Sequence, residues 1–287
     1  MWIIYALLTA VLISTSDALT KQALASRDAY FVAWARLLFC MPVLVTSLLF
    51  IDVPPLDGTF WLATFCALPL EIIAIILYTK ALKSSPISLT VPFLALTPVF
   101  VIVTSYLILG EKVSLTGGAG IFLMAAGGYT LNIHKIRHAL LEPVRAVLRE
   151  KGSVMMIIVA FIYSITSSLG KMAIEHSSPV FFGSFYFVLV TVFFTPLAMM
   201  KNRGGMMIRK KDIVTFSSIG VTYSLMIIFH MVAMSMSKVA YMISIKRTSL
   251  LFSVMYGYFM FREEKIPEKA IGVIIMLAGF MFIVLSR

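Results

Sequence analysis

Ten stretches of this chain are long and apolar enough to cross a lipid bilayer, and no other feature restricts the fold so tightly. They run over 3–20, 30–50, 60–79, 86–109, 116–133, 153–171, 180–200, 213–235, 239–261 and 268–286. A helix needs roughly 20 mainly apolar residues to traverse about 30 Å of hydrocarbon. Within lipid, every backbone N–H and C=O must be satisfied inside the element itself. Membrane β-strands would instead be written as alternating segments of about ten residues, and the sequence contains no such run. The composition agrees: 60% hydrophobic, 13% charged and a mean hydropathy of +0.99, where soluble domains carry about half and about a quarter. Long polar connections occur only at 134–152 and 201–212, so no stretch remains for a soluble catalytic domain. An all-α integral membrane protein with ten transmembrane helices follows.

The first stretch has a rival reading as a cleaved leader, because Ala23-Leu24-Ala25 has the small residues of a cleavage site. No basic residue precedes the apolar run and Lys21 and Gln22 interrupt it, so a span is expected instead. Cys40 and Cys66 both lie in spans without disulfide or metal spacing, and are expected to be small buried hydrophobes. The net charge of +11 does not signal nucleic acid, because the cations sit between spans. With ten spans, sixteen Lys and Arg fall in connections on one side, against Lys112, Lys171, Lys238 and Arg287 on the other. The positive-inside bias makes the first side cytoplasmic, which puts both termini outside. In the connection 134–152, Ile136, Leu140, Val144, Val147 and Leu148 share a face at helical spacing. An interfacial helix on anionic headgroups and a plain charged linker are equally open readings.

The chain also repeats itself. Ser14, Leu19, Lys21 and Ala23 recur as Ser164, Leu169, Lys171 and Ala173, a register of 150 residues. Ala81, Ser85, Phe100, Tyr106 and Glu111 recur as Ala233, Ser237, Phe252, Tyr258 and Glu263, a register of 152, and Gly120 and Gly127 recur as Gly272 and Gly279. The halves are 1–133 and 153–287, joined by the basic segment 134–152. Five spans per copy is an odd number, so the second copy is inverted relative to the first. Inverted repeats that meet near the bilayer midplane are a transporter architecture, with the substrate site between the copies.

The tracts SLTVPFLALTPVFVIVTSYLILGEK and SIKRTSLLFSVMYGYFMFREEK, each leading to a Gly-rich helix, resemble the drug/metabolite transporter superfamily, in particular its EamA-type members. The resemblance covers essentially the whole chain. It implies a small solute moved by alternating access in a plasma or inner membrane, with both termini in the cytoplasm, the reverse of what the loop charges give.

Ionisable residues inside spans cost about 2.5–3.5 kcal/mol to insert and normally face the bundle interior. The cations there are Arg36, Lys246, Arg247 and Lys269, the last near enough to its helix end to snorkel; the acids are Asp17 and Glu71. Glu111 and Glu263 sit at span ends and read as turn or helix-end contacts. Lys246 and Arg247 lie about 10–12 Å inside their span at 1.5 Å per residue, so at least one should project into a central cavity. Glu71 is their expected partner, and its ion pair with one of them would be either structural or part of a site. Two cations against one acid favour a phosphate or carboxylate. The Lys-Arg dipeptide resembles that in the ninth span of plastid triose-phosphate translocators, where the pair holds the substrate phosphate.

Ser14, Asp17 and Lys21 fall on one helical face, repeated by Ser164, Ser167 and Lys171, and are expected to line the cavity, with the two lysines anchoring helix ends. Asp17 breaks the symmetry, because Ser167 is its counterpart. Asp17, Glu71 and His230 are the candidates for a coupling proton, with His230 otherwise a satisfied buried histidine. Tyr163, Tyr223 and Tyr241, along with Tyr78 and Tyr186, need hydrogen-bond partners or a wet cavity. Pro92 and Pro98 interrupt their span and are expected to form a gate or hinge, or to be tolerated as ordinary membrane prolines. The small-residue runs 117–128 and 270–279 suit either a homodimer face or packing between neighbouring spans.

No nucleotide loop, redox motif or metal spacing appears in the sequence. The expectation is therefore a secondary transporter of a small anionic or zwitterionic metabolite, with no cofactor, whose partners are that solute and the lipid bilayer and not nucleic acid. Export of amino acids or aromatic toxic compounds is the alternative. A non-transporting membrane protein with a structural buried charge pair is the rival of another class. A membrane enzyme would need a clustered catalytic set at one surface, which the sequence lacks.

Overall fold

The computed structural model of the chain describes residues 1–130, 150–202, 207–261 and 270–286. The segment 134–149 and Arg203, Arg262, Glu263, Lys265, Lys269 and Arg287 lie outside the described residues, and with them the interfacial-helix reading. Among the described residues every regular element is a helix: α1 Trp2–Leu24, α2 Ala29–Leu38, α3 Met41–Leu49, α4 Gly58–Ser84, α5 Ile87–Thr90, a 3₁₀ turn Val91–Leu96, α6 Thr97–Leu109, α7 Leu115–Thr130, α8 Lys151–Glu175, α9 Pro179–Lys201, α10 Lys210–Ser235, α11 Val239–Lys246, α12 Ser249–Phe261 and α13 Ala270–Leu285.

These elements make ten crossings. Seven apolar segments reach spanning length, Leu115–Gly128 and Ile271–Leu285 are shorter apolar helices, and α11 with α12 completes the set. Helix starts are written locally. Asp28 accepts from the Tyr30 amide at 2.8 Å and Asp57 from the Phe60 amide at 2.9 Å, which satisfies amides that a helix leaves unpaired at its first turn. Gly110, at φ 69°, ends α6 in the left-handed conformation that glycine adopts without steric cost.

The packing carries the inverted symmetry. In the first copy α4 packs on α8 of the second, and in the second copy α10 packs on α1 of the first. Likewise α6 packs on α8 and α12 on α1, while α7 pairs with its own counterpart α13. α1 is thus a full member of the bundle, lying against α10 and α12. The small-residue runs are used inside the chain: a Cβ on Gly120 would come within 2.8 Å of the Gly279 carbonyl oxygen, and one on Gly127 within 2.7 Å of that of Gly272. Cys40 is buried as expected, but Cys66 is exposed on the outer surface of α4, where an apolar thiol faces what the membrane would fill.

Two expected continuous spans are broken, at equivalent places. Span 86–109 is interrupted at Val91–Leu96, with Pro92 and Pro98 each in the opening turn of the element that follows. Span 239–261 is interrupted at Arg247–Thr248, where the Thr248, Leu250 and Leu251 amides bond three residues back instead of four. No Pro or Gly announces the second break. Its repeat position does, since 91–96 plus the register of 152 is 243–248.

Candidate functional site

Each copy pins its third crossing with the lysine of its first. The Lys21 ammonium donates to the carbonyls of Leu82 and, at 2.6 Å, Ser85, at the end of α4. Lys171 donates to the carbonyls of Met234 and Ser235 at 2.9 and 3.2 Å, at the end of α10. Both act as cationic caps on carbonyls that have no helical partner, the anchoring role expected of them. At the span end, Glu111 accepts from the Val239 amide at 2.9 Å and so caps α11 across the repeat boundary.

Between the copies lies a cavity of about 110 Å³ to which α1, α2, α4, α8, α9, α10 and the broken end of α11 contribute. On the scale of about 10–15 Å³ per water, it is hydrated or holds a small solute. Asp17, Glu71, Tyr163, Ser167, Tyr223, His230, Lys246 and Arg247 all line it. Ser14 does not: its hydroxyl donates to the Val11 carbonyl at 2.9 Å, as Ser164 does to Phe161 at 2.7 Å, because a serine within a helix satisfies itself one turn back. Tyr241 is also elsewhere. Its hydroxyl lies 3.1 Å from the Ser114 amide and 3.0 Å from the Ser114 hydroxyl, at the outer end of α7. Pro92 and Pro98 are buried beside the cavity without lining it, while their neighbours Val91 and Leu94 do.

The charges are distributed differently from the sequence expectation. Glu71 forms no ion pair with Lys246 or Arg247 within 4.0 Å, although all three line the cavity, with Thr166 beside them in its wall. The buried pair is Asp17 with Arg36, at 3.1 Å. Tyr78 donates to the second oxygen of Asp17, and the Arg36 guanidinium lies 3.7 Å from the centroid of the Tyr223 ring, a cation–π contact. Arg36 sits in the last turn of α2, and its carbonyl accepts from the Cys40 thiol at 3.0 Å. Its neighbour Trp34 turns away to Thr195, at 3.2 Å.

At the second break, Arg247 donates from Nη2 to the Thr97 hydroxyl at 2.8 Å. Thr97 opens α6, so this bond joins the two interrupted crossings of opposite copies. Lys246 ends α11 with its side chain partly open to the cavity, and among the described residues its ammonium has no carboxylate within 4.0 Å. The aromatic wall is continuous: Phe182 stacks on Tyr186 at 5.1 Å, and Phe187 meets Tyr223 edge-on at 5.9 Å. The Tyr186 hydroxyl and His230 Nδ1 are buried without a hydrogen-bond partner among the described residues. Among the described residues, His230 thus lacks at Nδ1 the partner that the default reading gives it.

Sequence reasoning missed Thr166, Thr97 and the Asp17–Arg36 pair. The pair had a signal: Arg36 was an in-span cation with no expected acid, and Asp17 the one in-span acid with no expected cation. Among the described residues no group of three or more His, Cys, Asp and Glu side chains forms a metal cluster.

The EamA-like transporter family matches the chain twice, over residues 1–133 and 150–285. A solved structure described only as the crystal structure of a protein superposes with a TM-score of 0.72 at 13% identity, covering 98% of this chain and 95% of that one, and shows a shared fold. No curated protein sequence matches significantly. With both five-crossing copies matched over nearly their whole length, the chain belongs to the EamA-like transporter family and is an integral multi-pass membrane protein.

Proposed function

We propose that the protein is a secondary transporter of a small organic anion or zwitterion, which reaches the cavity from alternate sides of the membrane. The observation that carries this reading is Lys246: a cation at the broken end of α11, open to a cavity between inverted copies, with no acidic partner among the described residues. A structural ion pair would have neutralised it, whereas a ligand site leaves it available. Transporter sites form where discontinuous helices meet near the midplane, and both interruptions meet here through Arg247 and Thr97. Asp17, Arg36 and Tyr78 are tied to one another, which leaves Glu71 and His230 as the groups that would carry a coupling proton. We place the end bearing Lys21, Arg27, Lys83 and Arg209 in the cytoplasm. No chemical conversion is assigned to the site.

The aromatic wall of Tyr163, Tyr186, Tyr223, Phe182 and Phe187 supports the second reading, export of amino acids or aromatic compounds. Both readings are tested by uptake into liposomes holding the purified protein, with phosphorylated, carboxylated and amine solutes in turn. Lys246→Met should abolish transport of the accepted anion or zwitterion while the protein remains monodisperse. Undiminished transport by that variant would overturn the reading.

A further inference from the structure

Two ion pairs join one copy to the other, and they stand at opposite ends of the bundle. At the end bearing the basic loops, Arg27, in the connection from α1 to α2, donates to the Asp212 carboxylate in the first turn of α10. At the other end His176, in the connection from α8 to α9, meets the Asp57 carboxylate at the start of α4, with 2.6 Å between Nδ1 and oxygen. The other ion pairs among the described residues, Asp17–Arg36, Asp28–Lys83 and Lys171–Glu175, each stay within one copy. The inverted repeat relates the two that cross. In each, a basic side chain between the first and second crossings of one copy reaches an acid at the start of the third crossing of the other. Each acid is fixed by its own helix: Asp57 accepts from the Phe60 amide at 2.9 Å and Asp212 from the Arg209 amide at 3.0 Å, at helix starts that favour negative charge.

The elements tied in this way, α1, α2 and α10 at one end and α8, α9 and α4 at the other, all wall the cavity. We propose that the two pairs are matched latches, each closing one end of the cavity, and that Asp57–His176 is released by loss of the histidine proton while Arg27–Asp212 is indifferent to pH. Arginine keeps its charge at every physiological pH, whereas histidine changes charge between about pH 5 and 8. A charge-assisted hydrogen bond is roughly twice as strong as a neutral one, so the histidine latch weakens as pH rises and the arginine latch does not. Exposure fits this division: the His176 and Asp57 side chains are 39% and 53% exposed, against 11% for each of Arg27 and Asp212. The charges around His176 leave Asp57 as its partner. On its own element Glu175 is held by Lys171 at 3.5 Å; at the end of α6, Glu111 is bonded to the Val239 amide and acts with Lys171, Glu175 and Lys238; and the first turn of α9, Pro179–Phe182, carries no ionisable group. The purpose of the latches rests on the transport reading above, while their geometry stands without it.

The test is pulsed electron-spin distance measurement on the full chain in lipid nanodiscs, in a Cys40→Ala, Cys66→Ala background. Labels on Gly58→Cys and Glu175→Cys read the histidine end, and labels on Ser26→Cys and Lys210→Cys read the arginine end; all four positions are exposed. Raising the pH from about 5.5 to about 8.5 should increase the ratio of long to short distances at the histidine end about fivefold or more. The arginine end should not lengthen. His176→Gln, neutral at every pH, should show the long distances throughout, and His176→Lys, charged over the whole range, the short ones. Arg27→Gln should lengthen the arginine end at every pH. A histidine end that ignores pH, or a pH response that survives in His176→Gln, overturns the latch assignment, whatever Lys246→Met does to uptake. Distances that respond as stated in a protein that moves no solute uphold the latches and remove the transport reading instead.

Discussion

Arg36 reaches across from α2 to place a guanidinium nitrogen 3.1 Å from the Asp17 carboxylate on α1. Both side chains are almost wholly buried, at 9% and 3% exposure, so neither tolerates loss of the other. Asp17→Asn or Arg36→Met alone should destabilise by about 3–5 kcal/mol, because the surviving charge stays desolvated. The double variant should recover much of that loss. Thermal unfolding of the four proteins in detergent checks the cycle.

The lysine caps at the two ends of the bundle should behave independently. Lys21→Met and Lys171→Met each remove charged hydrogen bonds to helix-end carbonyls, a loss of about 1.5–3 kcal/mol apiece. Their effects should add, since they sit at opposite ends and share no partner. A double variant no less stable than either single one would contradict the symmetric assignment.

The glycine crossing provides its own control. Gly120→Ala and Gly279→Ala would each force a Cβ into the facing backbone, at 2.8 and 2.7 Å from a carbonyl oxygen, and should cost about 1–3 kcal/mol. In Gly118 the nearest heavy atom to an added Cβ is 4.0 Å away. Gly118→Ala should therefore be neutral or stabilising through its better helix propensity. The ranking of the three melting temperatures is the measurement.

At the end opposite the basic loops, Asp57 caps α4 and meets His176 Nδ1 at 2.6 Å, joining the two copies at the surface. The Phe60 amide first, and then His176, hold the Asp57 carboxyl below its ordinary value of 3.8. A depressed carboxyl contributes stability that is complete above that ordinary value and is lost as pH falls through the lower folded one. Stability plotted against pH should therefore fall in acid below about 3.8, and Asp57→Asn should flatten that limb. An unchanged acid limb in the variant would remove Asp57 from the account.

The fold was legible because membrane insertion and gene-scale repetition write directly into residue order: apolar length fixes each crossing, and Ser14–Lys21 against Ser164–Lys171 fixes the inversion. The cavity was legible in its charges, since a buried Lys246 needs somewhere wet to face. Partnership was not. Whether Glu71 pairs with Lys246, and whether Arg36 meets Asp17, depends on the rotation of helices about their axes, which depth along a span does not report. Tyr241 was misplaced for the same reason: its ring turns to the outer end of α7, against Gly117, and not inward. The break at Arg247–Thr248 escaped notice because no proline marks it, although the first copy has Pro92 and Pro98 at the equivalent place.

The glycine-lined crossing of α7 and α13 has a mechanical consequence. Helices that meet this closely at their glycines leave no room for an added side chain, so this pair is held at a fixed, short spacing. It joins one copy to the other at the element each contributes last. A side chain added to this seam therefore parts the two copies from each other, not merely two neighbouring helices.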